Sequence, residues 1–234
     1  MVILTQLAPE NSNIFYLKPN RGKVCEQIYT ANSFKHPELK TLVAFLHAFT
    51  GCDTTSSFYK QGKNKLLKIL LDRPHLQISA KIFYDQNAHP LEIAKTGCEI
   101  IAHMYSTKKE EGNLSELCYS HFARSTLKTS VKLESLPPTE AAAKEHCLRT
   151  YLQVQQWLGY KNEATQWGWK MSVQGLQPKY TEDALIPDEL MQKICRCEKG
   201  CKGKTCSCRK HGLRCSHLCS SCHGESCSNI EIPI

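Results

Sequence analysis

The chain has 234 residues, 41% of them hydrophobic, which fits one domain of ordinary size with a small module attached. No apolar run approaches the length of a membrane-spanning helix, and no G-x-x-x-x-G-K-[ST] phosphate loop occurs. Neither a membrane nor a small-molecule substrate is therefore expected. Thirty Lys and Arg against 22 Asp and Glu give a formal charge of +8, which favours a polyanionic partner.

The first fifty residues predict short strands followed by a helix. Met1–Ala8 is interpreted as the end of a buried strand. Residues 13–18 and 24–30 flank a turn containing proline and glycine, and they predict a strand hairpin. From Pro37 the apolar residues take helical spacing, and Gly51 closes that helix.

The middle of the chain predicts a succession of helices and then an aromatic corner of the core. The predicted helices cover residues 64–71, 76–84, 90–105, 114–127 and 138–158. The aromatic corner is indicated by Trp157, Trp167 and Trp169. A short helix is predicted over 188–194. Five scattered cysteines are interpreted as buried free thiols, namely Cys25, Cys52, Cys98, Cys118 and Cys147.

Nine of the fourteen cysteines lie between residues 195 and 227, and this density predicts a metal centre. They follow the pattern C-x-C-x3-C-x4-C-x-C-x6-C-x3-C-x2-C-x4-C. Three Zn²⁺ ions need about twelve metal–sulfur bonds, which six terminal and three bridging thiolates supply. The predicted ligands of this Zn3Cys9 cluster are Cys195, Cys197, Cys201, Cys206, Cys208, Cys215, Cys219, Cys222 and Cys227.

Three other interpretations of the cysteines compete with a shared cluster. A disulfide knot needs an oxidising compartment, but the first residues do not match the pattern of a secretion signal. An odd number of cysteines would also leave one of the nine thiols unpaired. A storage protein of metallothionein type also fits the cysteine density. Two separate mixed sites are the third alternative, with His211, His217 and His223 as additional ligands.

The cysteine-rich tail also concentrates the positive charge. Residues 193–234 contain eight Lys or Arg and three Glu, a formal charge of +5 out of the whole chain's +8. Some of these cations neutralise the thiolates, and the surplus suits phosphate groups. Duplex DNA is therefore the predicted partner. The predicted DNA contacts are Lys193, Arg196, Lys202, Lys204, Thr205, Arg209, Lys210 and Arg214.

The cysteine spacing of the tail resembles that of a tesmin-type CXC domain over about 37 residues. The resemblance implies three zinc ions held by nine cysteines and DNA contact through a short loop with basic side chains. The sequence departs from the family at Thr205, where the tesmin-type members place a tyrosine that reads the minor groove. Arg209 and Lys204 are therefore the expected groove or phosphate contacts. The final C-x2-C-x4-C spacing is a second departure.

The block from Leu46 to Ser56, LHAFTGCDTTS, is a second motif with chemical meaning. A helix ending in G-C-D, followed by a glycine and a basic helix, can build a backbone-amide cradle for a DNA phosphate. The block resembles PIN-like and flap-endonuclease proteins, in which an aspartate at the place of Asp53 helps to hold two divalent metals. Asp53 is alternatively a loop-capping carboxylate. No D-x-D or E-x-D pair occurs in residues 1–60, and Asp53 alone cannot hold two metal ions, so the resemblance implies a truncated PIN-like region in which Asp53 is a vestigial ligand.

The order of blocks across the chain resembles mobile-element-like animal proteins. Those proteins carry an H-A-F-T-G-C-D block, then an L-P-P-T block (here beginning at Leu136), then a cysteine-rich tail. The expected fold is α/β to mostly α, with a zinc-cluster module of little regular structure. The expected division is a partial PIN-like region at 1–72, a helical region at 73–172, a linker at 173–188 and the CXC-like module at 189–229.

These observations predict a zinc-dependent, nuclear DNA-binding protein that contains three zinc ions. A Mg²⁺- or Mn²⁺-dependent nuclease that uses Asp53 is one alternative. A protein-interaction module, in which the zinc cluster is purely structural, is the other.

Overall fold

The structure is a computed structural model of the chain. It describes residues 2–181 except for 10–11, 21, 23–24, 31–33, 107–112 and 126–132. In the tail it describes Cys201, Cys206, Arg209, Cys215, Cys219, Cys222, Cys227, Ser228 and Asn229. Within this part of the chain, no helix combines the length and the apolar character needed to cross a bilayer.

The described residues form a mixed α/β fold that is mostly helical, as the sequence predicts. The helices are α1 (Val2–Leu7), α2 (Val43–Phe49), α3 (Lys63–Asp72), α4 (Pro74–Ala80), α5 (Pro90–Tyr105), α6 (Leu114–Ser125) and α7 (Glu140–Trp157). The strands are β1 (Phe15–Lys18), β2 (Gln27–Thr30), β3 (Trp169–Ser172) and β4 (Gly175–Pro178). Short 3-10 helices cover Pro37–Leu42, Lys81–Tyr84, Leu133–Ser135 and Ala164–Gln166.

The first hairpin and the helix after it confirm two predictions. Strands β1 and β2 pair antiparallel, with Phe15 opposite Thr30 and Lys18 opposite Gln27. The helix predicted from Pro37 begins as a 3-10 helix and continues as α2. Proline fits the first turn of a helix because its missing N–H is not needed there.

The structure corrects the sequence prediction at the start of the chain, because Val2–Leu7 forms helix α1 rather than a strand. This helix packs against α2. The side-chain oxygen of Gln6 accepts a hydrogen bond of 3.3 Å from the backbone N–H of Ala44. Ala44 lies in the first turn of α2, where N–H groups often lack intrahelical partners, so Gln6 helps to satisfy one of these donors.

A second hairpin, β3–β4, occupies residues for which the sequence predicted no strand. β4 lies inside the predicted linker 173–188, whose residues beyond Thr181 fall outside the described part. Gly175 has a φ of +99°, a conformation that favours glycine, at the point where β4 begins. The ring of Trp167 lies 4.4 Å from that of Tyr151 between centroids, so the predicted aromatic corner does pack on the core.

The chain divides into two compact units, and the first comprises residues 1–100 and 144–180. Its centre is aromatic: the rings of Phe45 and Phe83 lie 4.6 Å apart, and those of Phe45 and Phe49 lie 4.9 Å apart. All three side chains are fully buried. A Cβ on Gly97 would lie 2.0 Å from the sulfur of Cys147, so α5 and α7 meet where only a glycine fits.

The second unit comprises residues 101–143 and 181–234. Ile101, Met104, Leu114 and Leu117 are buried. The rings of Tyr105 and His121 meet edge to face at 6.2 Å. The described cysteines of the tail belong to this unit.

The five scattered cysteines are free thiols, but they are not uniformly buried. Cys147 is buried as predicted, whereas Cys25 is exposed, and Cys52, Cys98 and Cys118 are half-buried. The prediction of burial is therefore wrong for Cys25, which precedes the solvent-exposed start of β2.

Candidate metal centre

Thiols make up the interior of the described tail. Cys201, Cys206, Cys215, Cys219 and Cys222 are buried together, and Cys227 packs against them. All six are free thiols, so none of these six supports the disulfide interpretation. Buried thiols gathered without disulfides are the arrangement that a thiolate metal centre requires.

Four of these sulfurs converge on one point. The sulfur atoms of Cys201, Cys215, Cys222 and Cys227 all lie within 4.8 Å of one another. Four thiolates around one Zn²⁺ ion, each at about 2.3 Å, stand about 3.8 Å apart. The four cysteines can therefore hold a metal ion after small movements of their side chains. We call them the sulfur quartet.

Two further sulfurs extend the quartet. The sulfur of Cys219 lies 3.6 Å from that of Cys201, and the sulfur of Cys206 lies 3.9 Å from that of Cys215. A disulfide bond would place the atoms about 2.05 Å apart, so these are contacts between separate thiols. Cys201 and Cys215 thus each have neighbouring sulfurs both inside and outside the quartet.

Asn229 holds Cys215 and Cys227 in place and was not anticipated from the sequence. Its backbone N–H donates to the sulfur of Cys227 at 3.4 Å, and its side-chain Nδ2 donates to the sulfur of Cys215, also at 3.4 Å. Its carbonyl accepts from the backbone N–H of Cys215 at 2.9 Å. The one available sequence signal is that an asparagine follows the final cysteine by two residues. In the structure its side chain is buried.

Arg209, predicted as a DNA contact, makes hydrogen bonds inside the tail. Its Nε donates to the carbonyl of Cys201 at 2.9 Å, and its Nη2 donates to the hydroxyl of Ser228 at 2.7 Å. The guanidinium therefore links Cys201, which is the third predicted ligand, to Ser228, which directly follows the ninth. A substitution of Arg209 would disturb the cluster as well as any DNA contact.

Burial raises the pKa of the Cys201 thiol, and the neighbouring thiols raise it further. Burial alone would also raise the pKa of Cys227, but the backbone N–H of Asn229 and the neighbouring thiols lower it. A metal ion would bind the thiolate form of Cys201, so its binding would have to displace the thiol proton. Metal affinity is therefore expected to weaken at low pH.

The remaining predicted tail residues lie outside the described part of the chain. These are the ligands Cys195, Cys197 and Cys208, the alternative ligands His211, His217 and His223, and the DNA contacts Lys193, Arg196, Lys202, Lys204, Thr205, Lys210 and Arg214. The predicted short helix 188–194 also lies there.

The G-C-D block forms a tight loop after α2. Gly51 has a φ of +107°, and a Cβ there would lie 2.7 Å from the Cβ of Ser57, so the position requires glycine. The hydroxyl of Thr55 donates to the carbonyl of Ala48 at 2.6 Å. Lys63 reaches the carbonyl of Gly51 at 3.1 Å. Local hydrogen bonds and the glycine conformation therefore account for the shape of this block.

Asp53 lies exposed on that loop. Among the described residues, no group of three or more candidate metal ligands within 4.8 Å of one another includes it.

His146 on α7 fastens the loop to the core. Its Nε2 lies 3.0 Å from the carbonyl of Phe49, and its Nδ1 lies 3.2 Å from the hydroxyl of Ser56. A neutral imidazole protonated on Nε2 satisfies both contacts, donating to the carbonyl and accepting from the hydroxyl. Burial lowers the pKa of His146 to about 4, which keeps it neutral at physiological pH. Thr54 also donates to Gln153 on the same helix.

Comparisons with known proteins found no match for this chain among protein-family models, curated proteins or solved structures.

Proposed function

We propose that the protein is a zinc-dependent DNA-binding protein of the nucleus. Its cysteine-rich tail folds around three zinc ions and presents basic side chains to duplex DNA. The observation that carries the proposal is the sulfur quartet, four sulfurs within 4.8 Å of one another, with Cys206 and Cys219 beside it.

The neighbours of the quartet support a shared cluster. A bridging thiolate bonds two ions, so its sulfur must lie near the ligands of both. Cys201 and Cys215 meet this requirement, because each has a sulfur neighbour outside the quartet, at 3.6 Å and 3.9 Å respectively. We assign these two as bridging ligands. Cys195, Cys197 and Cys208 then complete the nine thiolates that three ions need.

The chemistry of the ligands supports zinc as the metal. Thiolates are soft donors, and Zn²⁺ accepts four of them in a tetrahedron without a redox change. Free thiols also persist in the reducing compartments of the cell, which include the nucleus.

The charge of the tail supports DNA as the partner. Three dications against nine thiolates carry a net charge of about −3. The eight Lys and Arg of residues 193–234 outnumber the three Glu by five, so positive charge remains after the cluster is neutralised. A compact surface with surplus cations attracts the phosphate backbone and releases its counterions.

The resemblance to CXC domains supports the same function, since it covers all nine cysteines. The order of the G-C-D block, the L-P-P-T block and the tail supports an origin in a mobile-element-like family.

Fluorescence anisotropy of a labelled duplex tests the proposal on the zinc-loaded full chain over a range of salt concentrations. We expect salt-sensitive binding that is lost after zinc removal. The triple variant Lys202→Glu, Lys204→Glu, Lys210→Glu should bind more weakly. The slope of log affinity against log salt should fall by about 0.9 for each phosphate that the variant no longer neutralises. Arg209 is left unchanged because it bonds Cys201 and Ser228.

A matched control has the same change in charge elsewhere. Lys81, Lys95 and Lys144 are exposed in the first unit, and their reversal to Glu should leave binding much closer to the original. Equal weakening in both triple variants would show only a general charge effect and would contradict the proposed interface. Equal, weak binding to DNA and to heparin would instead favour a protein-interaction module.

A further inference from the structure

The segment Cys227–Asn229 contains one predicted metal ligand, Cys227, and a residue, Asn229, that makes several hydrogen bonds to predicted ligands. Asn229 is 7% exposed and bonds Cys215 in two ways, through its carbonyl and through its side-chain amide. It bonds Cys227 through its backbone N–H. One residue therefore connects two members of the sulfur quartet that are 12 positions apart in the sequence.

Hydrogen bonds of this kind affect a thiolate directly. An N–H that points at a thiolate sulfur stabilises its negative charge and fixes its direction toward the metal. A cluster with more thiolate charge than metal charge gains most from such donors, because its ligands repel one another.

Arg209 and Ser228 hold this segment against the start of the cluster. The guanidinium bonds the carbonyl of Cys201 at 2.9 Å and the hydroxyl of Ser228 at 2.7 Å. The backbone beside Asn229 is thereby fixed to the backbone of Cys201, which is itself a member of the quartet.

We propose that Asn229 is a positioning residue of the metal centre, which strengthens metal binding by donating hydrogen bonds to the sulfurs of Cys215 and Cys227. The inference rests on the proposed zinc binding and deepens it. The side-chain amide is the part that substitution by aspartate removes, since that substitution keeps the backbone N–H and carbonyl.

The variant Asn229→Asp tests this role in the full chain. It keeps the shape of the side chain but replaces the Nδ2 donor by a carboxylate oxygen that repels a thiolate. In competition with a chromophoric chelator, we expect about 10- to 100-fold weaker zinc affinity, the usual effect of losing a group that orients a metal ligand. Asn64→Asp is the matched control, because it makes the same change at an exposed asparagine of the first unit. Its zinc affinity should stay unchanged.

A second measurement needs no variant. In the wild-type chain loaded with ¹¹³Cd²⁺, the side-chain amide proton of Asn229 should show a scalar coupling to ¹¹³Cd through the N–H···S bond. A merely structural asparagine would give no such coupling. Unchanged affinity in Asn229→Asp, or an amide proton without ¹¹³Cd coupling, would overturn the inference. A wild-type chain that retains no zinc would instead refute the proposed function itself.

Discussion

The first unit of this protein and its cysteine-rich tail bury different kinds of side chain. The first unit has a conventional core, in which the buried rings of Phe45, Phe49 and Phe83 contact one another. The described part of the tail instead gathers thiols, and five of its cysteines, Cys201, Cys206, Cys215, Cys219 and Cys222, are buried together. Apolar burial needs no cofactor, whereas gathered thiols bring folding free energy only when a metal binds them. The comparison teaches that this chain joins a fold with a conventional apolar core to a cysteine-rich tail whose thiols could hold metal ions.

Removing the metal should give the largest effect and should affect only the tail. Structural zinc contributes an apparent free energy of about 10–16 kcal/mol in small peptides, so a strong chelator should unfold the module. Limited proteolysis should then cut at the tail's Lys and Arg. All three tryptophans lie in the first unit, so their fluorescence should stay unchanged. Disappearance of the tryptophan signal together with the metal would show that the two folds depend on one another.

A cavity in the aromatic core should destabilise the first unit and leave metal binding by the tail unchanged. Phe49→Ala removes a fully buried ring, which should lower the free energy of unfolding of the first unit by about 3–5 kcal/mol. Urea denaturation followed by tryptophan fluorescence measures this decrease, and zinc content should not change. Phe15→Ala is the matched control, because that ring is 63% exposed and its removal should cost less than about 0.5 kcal/mol. Equal destabilisation in the two variants would contradict the assignment of the core.

Acid should destabilise the first unit through His146. In the unfolded chain this histidine takes a proton near its ordinary pKa of 6.5, whereas burial lowers its pKa to about 4 in the folded protein. The unfolded state therefore binds more protons between these values, and stability falls as the pH falls through this window. The decrease should be on the order of 3 kcal/mol. Urea denaturation at several pH values measures it. A His146→Gln variant with the same pH dependence would exclude His146 as its source.

The packing of α5 against α7 should give the smallest effect. A Cβ at Gly97 would lie 2.0 Å from the sulfur of Cys147, so Gly97→Ala should cost about 1–3 kcal/mol through overpacking. Adding Cys147→Ala removes that sulfur. The double variant should then be more stable than the sum of the two single effects implies. Simple additivity in thermal or urea unfolding would contradict this close approach of the two helices.

Much of the first unit could be predicted from the sequence, because its helices have regular apolar spacing and proline starts. Helix α5 runs from Pro90 to Tyr105, as predicted. Helix α1 could not be predicted, because it is only six residues long and packs on a helix some forty positions later. The β3–β4 hairpin was missed because its short strands leave Met171 and Leu176 exposed and give no clear alternation.

The ligands of the candidate metal centre could be predicted from the sequence, but the residues that hold those ligands in place could not. The nine ligands predicted from cysteine spacing include the six cysteines that the structure brings together. It gives no sign that Asn229 bonds Cys215, because that hydrogen bond depends on how the tail folds back on itself. Charge counting assigned Arg209 to DNA, since a sequence does not reveal that its guanidinium reaches the carbonyl of Cys201.

Native mass spectrometry of the full chain tests most directly whether the tail shares metal ions among its thiolates. The account predicts three zinc ions per chain. The nine tail cysteines should also be protected from alkylation until a chelator is added. Two zinc ions per chain would indicate separate mixed sites. A metal-free chain with disulfide-bonded tail cysteines would contradict a zinc cluster altogether.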